Sequence, residues 1–421
     1  MNLKSIFGKN RASSDYSLAL DIGTEFVKAL VFKCDNDNQK GIVVGFGMSR
    51  QQLGHMNSGA VSDINGVIKT CEKAITQAEN MAGVKKVKKA IVGIAGELVK
   101  GTTTTVHYER AHPEVRIDMP ELKNIIQKVQ WKAFGRIRNQ LAWETGHKEI
   151  DVKLINATIV SVKIDGYRIT NPMGFQGRDV SISVFNAYAP MVHLGALQKI
   201  ADELDLELIS IAAEPYAIAQ SIGTYNNPEF GAIIIDIGGG TTDIALVRNG
   251  GLEGTVVFAL GGRALTKKLA AVLSISFDEA EQLKLKYSAG KTGQEIAKRI
   301  DMIFDEDCQI WASGLEIALE SFSNCDLLPP SILLCGGGSG LPGIHRVLSS
   351  QALYDKLPLA QNLQVGYIQP RDVMNIIDRT KILKSPQFIA PMGLANLALG
   401  ISEKEEVLSD VLGKAVKIIQ S

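Results

Sequence analysis

The sequence predicts an α/β protein of two similar units around a central cleft, and three observations carry the prediction. An apolar run ending in an acid and a glycine turn occurs twice, as Leu-Ala-Leu-Asp-Ile-Gly-Thr at 18–24 and as Ile-Ile-Ile-Asp-Ile-Gly-Gly-Gly-Thr-Thr-Asp at 233–243. Each run reads as a buried strand whose glycines turn the chain sharply back. Both copies open a stretch in which strand-like and helix-like spacings alternate, the pattern of α/β units. A chain of 421 residues, 45% hydrophobic and 21% charged, can bury a large core and should divide into two or more domains.

The elements follow in order. Residues 17–32 read as a β-hairpin through the Asp21 turn, with a further strand near 41–47. Asp63 is a plausible N-cap for a helix over 63–82, where Ile64, Val67, Ile68, Cys71, Ile75 and Ala78 recur at helical spacing, and a strand follows at 90–94. From about 96 to 187 the texture changes to a Thr-rich stretch, a helix over 120–142, and strands near 151–163 and 178–187. Between those strands, Asp165-Gly166-Tyr167 and the run from Asn171 to Gly177 mark turns, so this segment reads as a compact α+β insert. A helix over 191–204 and a strand at 206–211 lead to Glu214-Pro215, where Pro suits a first helical turn. The second unit opens at Phe230 with the triple-glycine hairpin. It continues through a Gly-Gly turn at 261–262, a helical stretch around Glu279 to Lys284, and a strand at 331–335 that runs into Gly336-Gly337-Gly338-Ser339.

Composition narrows the function. Lys plus Arg and Asp plus Glu both number 45, which argues against a general attraction to nucleic acid, so no nucleic-acid partner is expected. With no run of 18 apolar residues and no h-region near Lys4, Lys9 and Arg11, neither a spanning helix nor a signal peptide is read, and the expected location is cytoplasmic. The five cysteines, at 34, 71, 308, 325 and 335, are odd in number and far apart, and read as reduced core residues.

A lone Asp-x-Gly-Thr after an apolar strand is usually just a β-turn. Three glycines and two threonines before another acid exceed what a hairpin needs. Two such turns facing each other would make a clamp for a nucleotide phosphate tail, with backbone N–H groups on the phosphates and two carboxylates toward Mg²⁺.

With its motifs in this order, the chain resembles the actin, sugar-kinase and heat-shock ATPase superfamily, and within it the bacterial cell-division family FtsA. The resemblance implies an actin-like ATPase fold, two duplicated α/β domains around a nucleotide cleft, with ATP and Mg²⁺ as cofactors. Gly23, Thr24, Gly238, Gly239, Gly240 and Thr241 would bracket the β and γ phosphates, and Lys28 would reach them as a point charge. Asp21 and Asp236 would hold hydrated Mg²⁺, and Glu214 would orient the attacking water. Glu281 and Lys284 would meet the ribose and adenine, as would Gly336, Gly337, Gly338 and Ser339 of an adenosine loop over 336–343. Each has a plainer alternative: Lys28 as a solvated strand residue, Glu214 as a helix-capping acid, and Glu281 with Lys284 as a surface ion pair.

Val92 to Glu97 and Asp165 to Gly177 are similar to the borders of the SHS2 insert that FtsA shares with the pilus family PilM. The implied organisation is a leader at 1–14, a first actin-like domain at 15–95 with 188–223 and 386–402, and an SHS2-type subdomain at 96–187. A second domain at 224–260 with 330–385 carries a smaller subdomain at 261–329, and 403–421 forms a linker and amphipathic tail.

An FtsA-like chain would bind ATP, hydrolyse it slowly at most, polymerise, and tether a tubulin-like FtsZ ring and other division proteins to the cytoplasmic face of the membrane. A PilM-like adaptor gripping the peptide of an inner-membrane partner is the alternative, and a sugar- or acetate-kinase type enzyme the third reading. Two departures from FtsA stand out. Arg263 follows the Gly-Gly turn where the family often has an acid. The tail stripe, which includes Val407, Leu408, Val411 and Leu412, has no aromatic residue and only Lys414 and Lys417 as bases, so lipid contact falls to the tail or to the leader around Ile6 and Phe7.

Overall fold

Apolar strands that end at the two acid–glycine turns organise the described residues into two large sheets, beside a two-stranded one. The computed structural model describes residues 16–35, 39–97, 99–145, 151–223, 229–322, 327–359 and 361–402. The leader, the amphipathic tail and Cys325 lie outside the described residues.

The chain begins with β1 (Tyr16–Ile22), β2 (Phe26–Asp35), β3 (Lys40–Arg50), the short pair β4 (Met56–Asn57) and β5 (Ala60–Val61), α1 (Ile64–Ala82) and β6 (Lys89–Ile94). There follow β7 (Lys100–Glu109), α2 (Met119–Thr145), β8 (Val152–Ile164), β9 (Tyr167–Arg168) and β10 (Asp179–Pro190). Then come α3 (Met191–Glu203), β11 (Glu207–Ala213) and α4 (Glu214–Ser221). The second unit holds β12 (Ala232–Ile237), β13 (Thr242–Arg248), β14 (Gly251–Phe258), α5 (Gly262–Leu273), α6 (Phe277–Ser288), α7 (Gln294–Glu320), β15 (Ser331–Cys335), α8 (Pro342–Leu348), α9 (Gln351–Tyr354) and β16 (Gln364–Tyr367). β17 (Ile376–Asp378) and α10 (Ile389–Ser402) return to the first unit.

Both units repeat one sheet plan. In the first, β1, β2 and β3 form an antiparallel meander, β6 lies parallel beside β1, and β11 lies parallel beyond it. In the second, β12, β13 and β14 form the meander, with β15 and then β16 parallel beside β12. Each meander strand that carries a motif is buried along almost its whole length, because helices cover both faces of such sheets.

Helix α1 illustrates how the sequence sets this packing. The Asp63 side chain accepts from Gly66 N–H at 3.1 Å to cap its start, and Gly83 closes its end in the left-handed region. Its buried stripe of Val67, Cys71, Ala74 and Ala78 lies on the sheet so closely that a Cβ on Gly47 of β3 would sit 1.9 Å from the Ala74 carbonyl oxygen. Small residues at this crossing bring helix and strand backbones together.

Strands β7, β10, β8 and β9 form an antiparallel array, and α2 buries Leu122, Ile125, Ile126 and Val129 against it in a core of its own. This array joins the second unit's sheet edge to edge. β7 pairs with β14 at Gly101↔Thr255 and Thr102↔Gly254, giving a continuous nine-stranded sheet among the described residues. Nothing in the local pattern announces that pairing, which links residues some 150 positions apart.

Two further features depart from the sequence reading. The 27-residue α7 was not anticipated, although its buried Ile300, Phe304, Cys308, Trp311 and Leu315 recur at helical spacing. Cys34 is exposed and so is not a core residue, whereas Cys71, Cys308 and Cys335 are buried free thiols. Among the described residues no helix is long and apolar enough to cross a membrane.

Candidate functional site

The cleft lies where the two hairpin turns meet. In the first turn Gly23 N–H donates to the Phe26 carbonyl at 3.1 Å, and the register pairs Asp21 with Lys28. In the second, Gly238 N–H donates to the Thr241 carbonyl at 2.9 Å, and the register pairs Asp236 with Asp243. The turns touch. A Cβ on Gly240 would sit 2.6 Å from Thr24 Oγ1, and one on Gly239 2.7 Å from Glu25 Cβ, so any side chain there would drive the turns apart.

Four buried carboxylates gather around one ammonium. Asp21, Glu214, Asp236 and Asp243 all line the cleft, Glu214 entering as the first residue of α4. Lys28 Nζ donates to Asp21 Oδ2 at 2.7 Å. Burial alone would lower the Lys28 pKa, but Asp21, Asp236 and Glu214 outweigh it and the ammonium is held charged above its usual value. Burial, with the charges of Asp21, Asp243 and Asp236, pushes Glu214 well above the carboxylate range. Asp236 rises to about 6 through burial, opposed by Lys28, and Asp243 to about 8 through burial and the charge of Asp236. Asp243 accepts from Thr241 Oγ1 at 2.9 Å through Oδ2, while its Oδ1 is buried without a partner.

The third loop and α6 complete the walls. Gly336 has φ +83°, and a Cβ there would lie 2.1 Å from Asp236 Oδ1, so this position admits glycine alone. Gly338 N–H donates to the Ile237 carbonyl at 2.8 Å, and Ser339 Oγ donates to the Gly336 carbonyl at 2.7 Å. Lys284 and Glu281 pair at 2.7 Å, and both reach the Thr266 hydroxyl; Lys284 also donates to the Gly262 carbonyl at 3.0 Å. This pair is buried at the cleft wall and is not a solvated surface pair.

Of the residues singled out in the sequence, Asp21, Gly23, Thr24, Lys28, Glu214, Asp236, Gly238, Gly239, Thr241, Glu281, Lys284 and Gly336–Gly338 line this one cleft, which has a volume of about 130 Å³. Gly240 packs against Thr24 and Ser339 is buried behind the third loop; neither is on the wall. Gly59, whose N–H donates to Thr24 Oγ1 at 3.2 Å, and Glu25 are on the wall without having been singled out. No local motif marks either, whereas Asp243 could have been chosen from its place opposite Asp236 in the hairpin.

The donor set suits a hydrated dication. Asp21, Asp236 and the unpartnered Asp243 Oδ1 offer oxygen ligands, and no group of three His, Cys, Asp or Glu side chains forms a protein cage among the described residues. Mg²⁺ there would keep several waters, as it usually does.

Fold and cleft together define a class: an actin-like α/β protein with two glycine turns apposed across an acid-lined cleft. Residues 233–393 match the family profile of Cell division protein FtsA. The chain is 25% identical to Cell division protein FtsA of Pseudomonas aeruginosa over 355 residues, covering 77% of this chain and 78% of that protein. It is 24% identical to Cell division protein FtsA of Bacillus subtilis over 435 residues, covering 95% of this chain and 89% of that one. Among solved structures it is similar in fold to a chain of the PilM-PilN type IV pilus biogenesis complex, with a TM-score of 0.64 at 17% identity, covering 91% of this chain and 98% of that chain. The resemblance to FtsA drawn from the motifs is borne out, and the chain has an actin-like fold.

Proposed function

We propose that this chain is an ATP-binding scaffold that polymerises and tethers an FtsZ-like division ring to the cytoplasmic face of the membrane. The observation that carries the nucleotide part is the apposition of the two glycine turns, with Lys28, Asp21, Asp236 and Glu214 converging between them. The backbone N–H groups of Thr24, Gly239 and Thr241 would receive the phosphates, with Gly23 and Gly238 closing the turns that present them, and Lys28 would neutralise them. Glu281 and Lys284 face the ribose and base, beside the Gly336–Ser339 loop. Asp21 and Asp236 would hold a hydrated Mg²⁺, which would supply neutralisation of phosphate charge.

Glu214 stands at the place for orienting a water. Burial and the neighbouring acids raise its pKa, which disfavours the anionic form in the nucleotide-free cleft. The FtsA relatives support the division role, and the tail or the leader supplies lipid contact.

Co-sedimentation of the full chain with anionic vesicles, with and without Mg-ATP and a purified FtsZ homologue, tests the reading. ATP-promoted filaments on vesicles that recruit FtsZ are expected. Soluble nucleotide-bound monomers under every condition would overturn the scaffold and favour a PilM-like adaptor.

A further inference from the structure

Ion pairs outside the acid–lysine cluster cross from one unit to the other at the cleft. Glu25 sits in the first turn, and its carboxylate takes the guanidinium of Arg263, the second residue of α5. Both side chains are only 10% exposed. Arg50, at the end of β3, donates to the same carboxylate at 2.6 Å and to Asp278 of α6 at 2.8 Å. Its guanidinium also lies 5.9 Å from the centroid of the Phe277 ring, within cation–π range.

Arg263 is anchored a second way. Its backbone N–H donates to the Gly239 carbonyl at 2.8 Å, next to the 2.9 Å bond from Gly262 N–H to the Gly238 carbonyl. One residue therefore holds the second turn through its backbone and the first turn through its side chain. Arg263 was the departure noted after the Gly-Gly turn, and this geometry gives it a task.

We propose that the Glu25–Arg263 pair is a clasp that sets the spacing of the two turns and thereby the rate at which bound nucleotide leaves; the proposal rests on the nucleotide reading above. Separating the turns requires breaking a nearly desolvated ion pair and leaving each charge short of its partner. The outer Arg50–Asp278 pair is a weaker restraint, because Asp278 is 76% exposed and such pairs are screened by water and salt. Arg263 acts as a positioning residue, since it is absent from the cleft wall and reaches the site only through Glu25 and the second turn.

The test is release of a fluorescent ATP analogue from the full chain, chased with excess ATP in a stopped-flow instrument, with the melting temperature recorded beside it. Arg263→Gln should accelerate release about tenfold, Glu25→Gln, which also loses Arg50, at least as much, and the double variant no more than about twofold beyond Glu25→Gln, because both changes break the Glu25–Arg263 pair. Arg263→Lys, which keeps the charge, should recover most of the slow release, and Asp278→Asn should stay within about twofold of wild type. Unchanged release in a folded Arg263→Gln variant, or effects that multiply in the double variant, would overturn the clasp alone. Failure of the wild-type chain to bind the analogue would overturn the underlying nucleotide reading, and the clasp with it.

Discussion

At the scale of single residues, the cleft is a concentration of buried acids whose protons depend on folding. Asp236 at about 6 and Asp243 at about 8 hold protons in the fold that the unfolded chain releases near pH 3.9. Raised carboxylates of this kind contribute stability that is fully present below the unfolded pKa and lost as pH climbs through the folded one. The nucleotide-free protein should therefore lose stability between about pH 4 and pH 8. Asp243→Asn should flatten that decline, as read from melting temperature across the range; an unchanged slope would refute the assignment. The roles of Asp21, Lys28 and Glu214 were suggested by residue type within a motif. What could not be read was their mutual burial, which depends on strands brought together from 200 positions apart.

At the scale of elements, the hairpins were the most legible part, because apolar runs, an acid and glycine turns are all local signals. β1 to β2 and β12 to β13 occur where the sequence placed them, and α1 begins after its predicted Asp63 cap. Contacts between elements were less legible. The join of β7 to β14 depends on which edges happen to lie side by side, and α7 was overlooked although its buried stripe was present in the sequence. Gly47 shows how a close contact can hang on one atom: Gly47→Ala should push α1 from the sheet and cost about 1–3 kcal/mol. Urea titration checks this, and a loss below about 0.3 kcal/mol would mean that the crossing yields more easily than the 1.9 Å approach implies.

At the scale of the whole molecule, duplication explains both the architecture and the cleft. Two meanders of the same plan bring equivalent turns face to face, so the acids that end equivalent strands meet at one place. The motif order makes this two-unit plan legible in the sequence alone. The array of β7 to β10 gives the second sheet a continuation through only two residue pairs, a linkage that composition and spacing do not encode. The proposed function stands on nucleotide binding, with a magnesium ion, in the cleft between the turns. Calorimetric titration of the full chain with ATP, in Mg²⁺ and then in EDTA, tests it most directly. One site per chain, tighter with Mg²⁺, is expected, with loss of that Mg²⁺ enhancement in Asp236→Asn; no saturable binding by the folded wild-type chain at millimolar ATP would rule out nucleotide binding in this cleft.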